Sequence, residues 1–320
     1  MTSQPRPSAG DPSLVALILA FLAVYVIWGS TYLAIFWAIE TIPPFTMAGI
    51  RFLIAGSILA AWAEWSGKPR PTLPQLWDGV VVGTFLLVGG NGAVVFAEQF
   101  VPSGLTALLI ATVPFWMVLL DWLWTGSRRP SAAAWLGVAW GLFGVWLLVG
   151  GRGGVAVRES GVLGALVILA GSLSWAFGSI HSRRIRVPAA PRWSTGIQML
   201  AGGILLTVAG GVSGEWSRWA PGETSLRSLL ALVYLIVFGG MVAYSAYIWL
   251  LRVSTPGRVA TYAYVNPVVA LFLGWGLADE TVTPRTLVAA VVILSAVVLL
   301  GRVGDSGKVG TGRVGASLDP

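Results

Sequence analysis

The sequence predicts an all-α polytopic membrane protein with ten transmembrane helices, arranged as two inverted repeats of five helices each. Composition, the length of the apolar segments and an internal repeat predict this fold class. Hydrophobic residues make up 56% of the 320 residues and charged residues only 10%, whereas about 25% of residues are charged in soluble domains. The apolar residues occur in blocks of about 20, the length that a helix needs to cross a bilayer.

The repeat is clearest where one pattern occurs twice at an offset of 153 residues. The segment 101–107 (VPSGLTA) matches the segment 254–260 (STPGRVA). In each copy a proline follows the glycine by ten residues, at Pro114 and at Pro267. The shared spacing predicts that the second half of the chain is a diverged copy of the first.

A second set of matches has an offset of 147 residues and pairs Trp28 with Trp175 and Arg51 with Gln198. The difference between the two offsets indicates insertions between the aligned stretches. Because five is an odd number of membrane crossings, the second copy is predicted to enter the membrane in the opposite orientation. Inverted repeats of this kind are typical of solute carriers that work by alternating access.

The predicted spans follow the apolar blocks, and prolines mark several of their starts, where a missing N–H is tolerated. They cover residues 14–38, 44–65, 76–97, 103–124 and 131–149 in the first half, and 161–181, 194–212, 226–251, 256–278 and 284–301 in the second. The first repeat is therefore 14–149 and the second, inverted repeat is 161–301, joined by an extracytoplasmic linker at 150–160. Residues 1–13 and 302–320 are predicted to be disordered cytoplasmic ends.

The distribution of basic residues predicts the orientation. With the N-terminus in the cytoplasm, 14 of the 20 Lys and Arg residues lie on the cytoplasmic side, five lie outside, and Arg51 lies within a span. Because cytoplasmic loops carry an excess of Lys and Arg, both termini are predicted to be cytoplasmic in a multi-pass protein of a bacterial inner membrane. Anionic lipid headgroups then account for the net charge of +7, and nucleic acid is not a predicted partner.

The sequence offers little to an enzyme. It contains no cysteine and one histidine, which leaves no thiol nucleophile and few ligands for a metal site. It has no phosphate-binding loop of the ATPase type, so ATP is not predicted to drive the protein. We therefore predict no catalytic residues, no metal and no cofactor.

Polar side chains inside the predicted spans are the best candidates for functional residues, because each is costly in hydrocarbon. Arg51 lies seven positions after Pro44, which places it about 10 Å into its helix. Two interpretations stay open: a charged wall of the substrate path, or an arginine that snorkels to the interface or forms a structural ion pair. Glu98, at the end of the third span on the same side, is the candidate partner for that pair.

Other polar and aromatic residues recur at repeat-related positions, such as Trp28 with Trp175 and Asn91 with Tyr244. They predict either close helix packing or the wall of a cavity. The predicted substrate cavity is lined by Trp28, Arg51, Asn91, Trp175, Tyr244, Tyr264 and Asn266. Pro114 and Pro267 are predicted to kink their helices and to serve in gating, since each removes a backbone hydrogen bond.

Six motifs of the chain are distinctive in combination: 27–32 (IWGSTY), 47–52 (MAGIRF), 90–92 (GNG), 111–114 (ATVP), 174–179 (SWAFGS) and 262–269 (YAYVNPVV). Together they resemble the drug/metabolite transporter superfamily, in particular its EamA-type permeases and their YedA-like branch. The resemblance implies ten helices in two inverted repeats around a central cavity. It also implies export of small metabolites such as amino acids or amphipathic compounds.

The resulting hypothesis is a secondary transporter that moves a small organic molecule outward by alternating access. Its predicted partners are that small molecule and the lipid bilayer. Proton coupling and the oligomeric state, monomer or homodimer, stay open. Two alternatives remain: a passive channel or facilitator, and a membrane scaffold or sensor that transports nothing.

Overall fold

The structure is a computed structural model that describes residues 13–125, 129–149, 159–186, 190–254, 259 and 261–306. Within these ranges the chain is almost entirely helical and forms no β-strand. The helices are α1 (Leu14–Ala38), α2 (Pro44–Trp65), α3 (Leu73–Ala97), α4 (Ser103–Ile110, resuming as Val113–Thr125), α5 (Ala132–Val149), α6 (Glu159–Ser182), α7 (Pro191–Val212), α8 (Leu226–Val253), α9 (Tyr262–Leu277) and α10 (Pro284–Ser306).

Seven helices of the described chain are long and apolar enough to cross a membrane: α1, α2, α3, α4, α6, α7 and α8. The remaining three contain shorter apolar stretches, at Ala132–Leu147, Val265–Leu277 and Pro284–Ala296. The prediction of a helical, polytopic membrane protein is thus confirmed. The count of ten membrane crossings stays a prediction, because three of the helices are short by this measure.

Some predicted boundaries were wrong by a few residues. Helix α10 continues to Ser306, so residues 302–306 are not a disordered end, and α6 begins at Glu159 inside the predicted linker. A helix gains a hydrogen bond with each added residue, so it can continue beyond the apolar block that marks its membrane-embedded part. Residues 1–12, 150–158 and 307–320, which hold most of the predicted ends and linker, lie outside the described ranges.

Helices α2 and α7 form the tightest contact, through glycines that recur at the offset of 147. A Cβ added to Gly56 in α2 would lie 2.9 Å from the backbone nitrogen of Leu200, and one added to Gly203 in α7 would lie 2.8 Å from that of Leu53. Gly203 lies 147 positions after Gly56, and Leu200 lies 147 positions after Leu53. The two helices therefore meet about a local two-fold axis.

A second pair of contacts repeats this symmetry and gives the direction of the helices. A Cβ on Gly49 would lie 2.9 Å from the nitrogen of Thr207, and one on Gly196 would lie 3.2 Å from that of Ala60. As residue numbers rise along α2, those of the partners in α7 fall. The two helices are antiparallel, and small residues let their backbones approach closely, as is common between membrane helices.

The other helix contacts also occur in pairs, in which each helix of one half is replaced by its counterpart in the other half. Helix α1 packs against α8 and α9, and its counterpart α6 packs against α3 and α4. Helix α5 packs against its own counterpart, α10. Helices α1, α3, α6 and α8 supply most of the residues of the site described below, and α2, α4 and α9 supply the rest.

The outer surface of the bundle is apolar. Large exposed side chains include Leu136 (70% exposed), Val291 (67%) and Phe272 (67%). An apolar surface this extensive is unfavourable in water and is what a lipid-facing surface requires. Trp62, Trp65 and Trp77 are also exposed near the α2–α3 connection, where tryptophan commonly marks the interface with lipid headgroups.

Two carboxylates from the second half of the chain cap helices of the first half. Glu280, after α9, accepts hydrogen bonds from the backbone N–H of Ser103 at 2.7 Å, from its hydroxyl at 2.6 Å and from the N–H of Gly104 at 3.0 Å. Glu215 accepts comparable bonds from the first turn of α2. A carboxylate at a helix N-terminus satisfies free N–H groups and opposes the positive end of the helix dipole.

We expect Glu280→Ala to lower the free energy of unfolding by about 2–3 kcal/mol, because it leaves two backbone N–H groups of α4 without their charged acceptor. Unfolding of the purified protein in mixed micelles measures this change. The matched control is Glu64→Ala, since Glu64 makes an exposed ion pair with Arg70 at 2.6 Å and such pairs contribute about 0–1 kcal/mol. Equal stability of the two variants would contradict the capping role.

Candidate functional site

Three of the central helices contain π-helical segments, in which the backbone hydrogen-bond register widens by one residue. They lie at Ala23–Ile27 in α1, Thr84–Asn91 in α3 and Leu235–Tyr244 in α8. The segments in α3 and α8 end at Asn91 and Tyr244, which are related by the offset of 153. The segment in α1 ends immediately before Trp28. All three irregular segments therefore end at the same central region, where they set the direction of the side chains.

Trp28 lies at the centre of an aromatic cluster that joins the two halves. Its ring centroid lies 5.5 Å from that of Trp175 in an edge-to-face arrangement, 4.8 Å from that of Tyr247 and 5.6 Å from that of Tyr262. Aromatic pairs at these distances each contribute about 0.5–1.5 kcal/mol beyond their burial. The repeat-related tryptophans thus contact each other directly.

Hydrogen bonds fix the orientation of these rings. The indole N–H of Trp28 donates to the carbonyl of Gly239 at 3.3 Å, and that of Trp175 donates to the hydroxyl of Tyr247 at 3.1 Å. The Tyr247 hydroxyl also lies 2.7 Å from that of Ser179. With their polar groups paired, the rings can present apolar faces to the space between the helices.

That space is a cavity of about 60 Å³. It is lined by Trp28, Thr31, Tyr32, Ile35, Arg51, Phe52, Gly90, Asn91, Val94, Ile110, Trp175, Gly239, Tyr244 and Tyr262. Sites for small molecules usually measure about 300–1,000 Å³, so this cavity is small and has space for only a few water molecules. An organic ligand could enter only if helices moved apart.

Arg51 lines the cavity and, among the residues that the structure describes, is the only charged side chain that does so. It is 3% exposed, its Nε and Nη1 have no hydrogen-bond partner, and its guanidinium lies 4.7 Å from the ring centroid of Phe52. The lack of a side chain at Gly239 makes room for it, because a Cβ there would lie 2.9 Å from Nη2. The site therefore holds an incompletely paired cation.

The predicted ion pair between Arg51 and Glu98 is not formed in this structure. Glu98 is also 3% exposed, and neither of its carboxylate oxygens has a hydrogen-bond partner. The ion pairs within the described residues join other side chains. Sequence placed the two residues on the same side of the membrane, but hydropathy carries no information on the distance between side chains of different helices.

On the other side of the two-fold axis, the position of Arg51 is occupied by the neutral Gln198. Its Oε1 accepts from the Tyr244 hydroxyl at 2.8 Å, and its Nε2 donates to Ser194 at 3.2 Å. Ser194 also accepts from Arg252 at 2.9 Å. A continuous hydrogen-bonded chain thus leads from the cavity wall to Arg252, in the last turn of α8.

Most of the predicted lining residues meet at the cavity. Trp28, Arg51, Asn91, Trp175 and Tyr244 line it. The backbone of Tyr264 belongs to α9, and its side chain lies outside the described part of the structure.

Asn266 does not line the cavity, although it was predicted to. With its amide nitrogen facing α1, it donates to the carbonyl of Tyr25 at 3.0 Å and to that of Val24 at 3.3 Å. Both carbonyls belong to the π-helical segment of α1. The side chain is 3% exposed and connects α9 to α1, because an amide supplies the donor that this irregular backbone lacks.

The two predicted kink prolines have different surroundings. Helix α4 is interrupted at Ala111 and Thr112, just before Pro114, and the Thr112 hydroxyl donates to the carbonyl of Leu109 at 2.7 Å. Pro267 lies inside α9, which continues through it. Their predicted role in gating stays a prediction.

Tyr32, Tyr262, Gly90 and Gly239 line the cavity but were not among the predicted site residues. Tyr262 lies one helical turn before Asn266, so the i, i+4 spacing could have placed them on adjoining parts of one face. The glycines gave no such signal, because a glycine in a membrane helix serves packing as readily as it lines a cavity.

Ion pairs join the two halves at opposite ends of the bundle. Arg227 at the start of α8 lies 2.6 Å from Glu40, which follows α1, and Arg186 after α6 lies 3.0 Å from Asp78 in α3. Helix α2 separates these ends, and its 22 residues span about 33 Å. Each pair involves the end of α1 or α6 and the beginning of α8 or α3, so the two are repeat-related.

Together, the helices, their apolar exterior and the central cavity define a polytopic membrane protein of the transporter class. The sequence profile of the EamA-like transporter family matches residues 15–150 and again residues 162–302. The chain belongs to this family. The boundaries of the two matches agree with the two halves that the offsets relate.

Individual relatives extend over nearly the whole chain. The chain is 42% identical to the uncharacterized inner membrane transporter YedA of Escherichia coli K12, over 90% of this chain and 91% of that protein. It is 26% identical to a probable amino-acid metabolite efflux pump of the same organism, over 87% and 92%. A crystal structure with 21% identity matches with a TM-score of 0.64 over 89% of this chain and 97% of that one, which supports the fold.

Proposed function

We propose that this protein is a secondary transporter that exports small organic metabolites, such as amino acids or amphipathic drugs, by alternating access. Ten spans in two inverted repeats, with both termini in the cytoplasm of a bacterial cell, complete the proposal. The similarity to the probable amino-acid metabolite efflux pump of Escherichia coli supports the direction and the class of solute.

One observation carries this proposal: a small central cavity lies between ion pairs that join the two halves at opposite ends. An occluded intermediate needs both sides shut around a small central space. Opening one ion pair while the other holds would expose the cavity to one side only. The antiparallel contact of α2 and α7 provides a symmetric element about which the halves could rock.

Flux into liposomes tests the function. The purified full-length protein is reconstituted, and uptake of a panel of amino acids and amphipathic drugs is measured with and without a pH gradient. A carrier gives saturable flux and counterflow of labelled solute against an unlabelled one. A channel gives flux without saturation or counterflow, and a scaffold or sensor gives no flux above that of empty liposomes.

Glu98 is the group we propose for proton coupling. An ionised carboxylate without hydrogen bonds is costly to bury, so the buried position of Glu98 favours the protonated acid. The titratable or charged side chains close enough to act on it are Tyr32 in α1, Arg51 in α2 and Glu280 after α9. Opening toward water would let the proton leave.

We expect Glu98→Gln to fold normally, since glutamine imitates the protonated acid, and to transport at a rate independent of the pH gradient. Flux measured with gradients of either direction checks this expectation. Glu64→Gln, at an exposed carboxylate, is the matched control and should keep the response of the wild type. An undiminished response in Glu98→Gln would remove Glu98 from the coupling mechanism.

A further inference from the structure

Arg51 is a buried cation that forms no ion pair with any carboxylate of the described residues. Its Nε and Nη1 lack partners, and the nearest candidate, Glu98, makes no bond to it. Leaving a charge buried and unpaired is strongly unfavourable, and proteins keep such an arrangement where a function requires it. A ligand that supplied two acceptor oxygens would satisfy the guanidinium in a bidentate geometry.

The remaining walls restrict what such a ligand can be. They are mainly aromatic and aliphatic, and no carboxylate side chain is among the lining residues of the described chain. An ammonium group on the ligand would therefore find no anionic partner. A dianion such as a phosphate monoester would need a second cation, whereas Arg51 supplies one positive charge.

Some of the neutral hydrogen-bonding groups of the wall already have partners. Asn91, Thr31, Tyr32, Tyr244 and Tyr262 line the cavity, but the Thr31 hydroxyl donates to the carbonyl of Trp28 at 2.7 Å and the Tyr244 hydroxyl donates to Gln198 at 2.8 Å. The rings of Trp28, Trp175 and Tyr262 offer flat apolar surfaces. They suit an aromatic or otherwise flat apolar body better than a polyhydroxylated one.

We propose that the cavity binds an organic monocarboxylate with a flat apolar body and no ammonium group, and that Arg51 binds its carboxylate. This inference rests on the proposed transport function and narrows its substrate class. Zwitterionic amino acids and cationic drugs are then poorer ligands than carboxylates of similar shape that carry no amine.

A set of four matched probes tests the proposal: phenylacetate, its neutral amide phenylacetamide, phenethylamine and phenylalanine. Binding to the purified full-length protein in detergent is measured by calorimetry. A charge-assisted bidentate contact should favour phenylacetate over each of the others by at least about tenfold. Equal or tighter binding of phenylacetamide, or no binding of any carboxylate in a series from acetate to phenylpyruvate, overturns the proposal.

Variants separate recognition from structure. We expect Arg51→Gln to bring the affinity ratio of phenylacetate to phenylacetamide close to one, and Arg51→Lys to restore part of the preference, because lysine keeps the charge but not the planar fork. A purely structural role would weaken both probes together. The control is Arg192→Gln, which removes a half-buried arginine that lies 3.8 Å from the ring centroid of Trp62 and does not line the cavity, and it should keep the preference.

The outcomes for binding and for transport are distinguishable. If carboxylates bind through Arg51 but no compound shows saturable flux, the site stands and the transport function fails. If amines or amino acids show saturable flux that Arg51→Gln leaves unchanged, transport stands and the inferred substrate class fails.

Discussion

The substitution Gly56→Val is expected to lower the free energy of unfolding by about 3 kcal/mol or more. A Cβ there would lie 2.9 Å from the backbone nitrogen of Leu200 and 3.0 Å from the carbonyl oxygen of Gly196. Overpacking costs about 1–3 kcal/mol where side chains can yield. Backbone atoms of a helix cannot move without disturbing its hydrogen bonds, so α2 and α7 would have to separate.

Unfolding in mixed micelles and the yield of monodisperse protein measure this effect. Gly276→Val is the matched control, because a Cβ at Gly276 meets nothing within 4 Å. It should be neutral or stabilising, since glycine is a poor helix former. Comparable losses in the two variants would show that the α2–α7 contact does not determine stability.

The local two-fold axis extends this expectation to the other helix. Gly203→Val should cost about as much as Gly56→Val, because its Cβ would meet the backbone nitrogen of Leu53 at 2.8 Å. The two costs should not simply add in the double variant, since both substitutions act on one interface.

Sequence could predict the features that depend on composition and period. The apolar blocks gave the helices, and the offset of 147 that pairs Trp28 with Trp175 also relates the glycine contacts of α2 and α7. Recurrence at a fixed offset reports shared ancestry of the two halves. In the structure the paired tryptophans meet at the axis that relates those halves.

The remaining details depend on information that local patterns do not carry. The π-helical segments arise from a shift of one residue in the hydrogen-bond register, and the hydropathy of the sequence does not reveal such a shift. Asn266 was expected at the cavity because it is an amide beside a proline, but the irregular backbone of α1 provides its partners. Glu98 was the candidate partner of Arg51, but neither of its carboxylate oxygens has a hydrogen-bond partner in the structure.

Linking the two halves at either end of the bundle is expected to stop transport. The chain has no cysteine, so engineered pairs react without background. In one double variant both Glu40 and Arg227 are replaced by cysteine, and in the other both Asp78 and Arg186 are. A short reducible bis-thiosulfonate reagent then links the two cysteines of each pair. Flux should fall to the level of empty liposomes and return on reduction, because rocking requires each end to open in turn.

A third exposed ion pair supplies the matched control. Glu64 and Arg70 lie 2.6 Å apart within the first half, so linking cysteines at these positions should leave flux unchanged. Before linking, all three double variants should transport, since exposed ion pairs contribute only about 0–1 kcal/mol. In right-side-out vesicles, a membrane-impermeant thiol reagent should label the 40/227 pair and spare the 78/186 pair, which tests the predicted orientation.

A binding measurement distinguishes a cross-linked but folded carrier from a misfolded one. A protein linked at one end can still open at the other, so it should bind solute from the free side while its flux is lost. A misfolded protein loses binding and flux together. If both linked variants instead transported at the unlinked rate, the two halves would not move apart at these ends. The small cavity would then have to widen by local motion of α1, α3, α6 and α8, and rocking of the repeats would be the wrong mechanism.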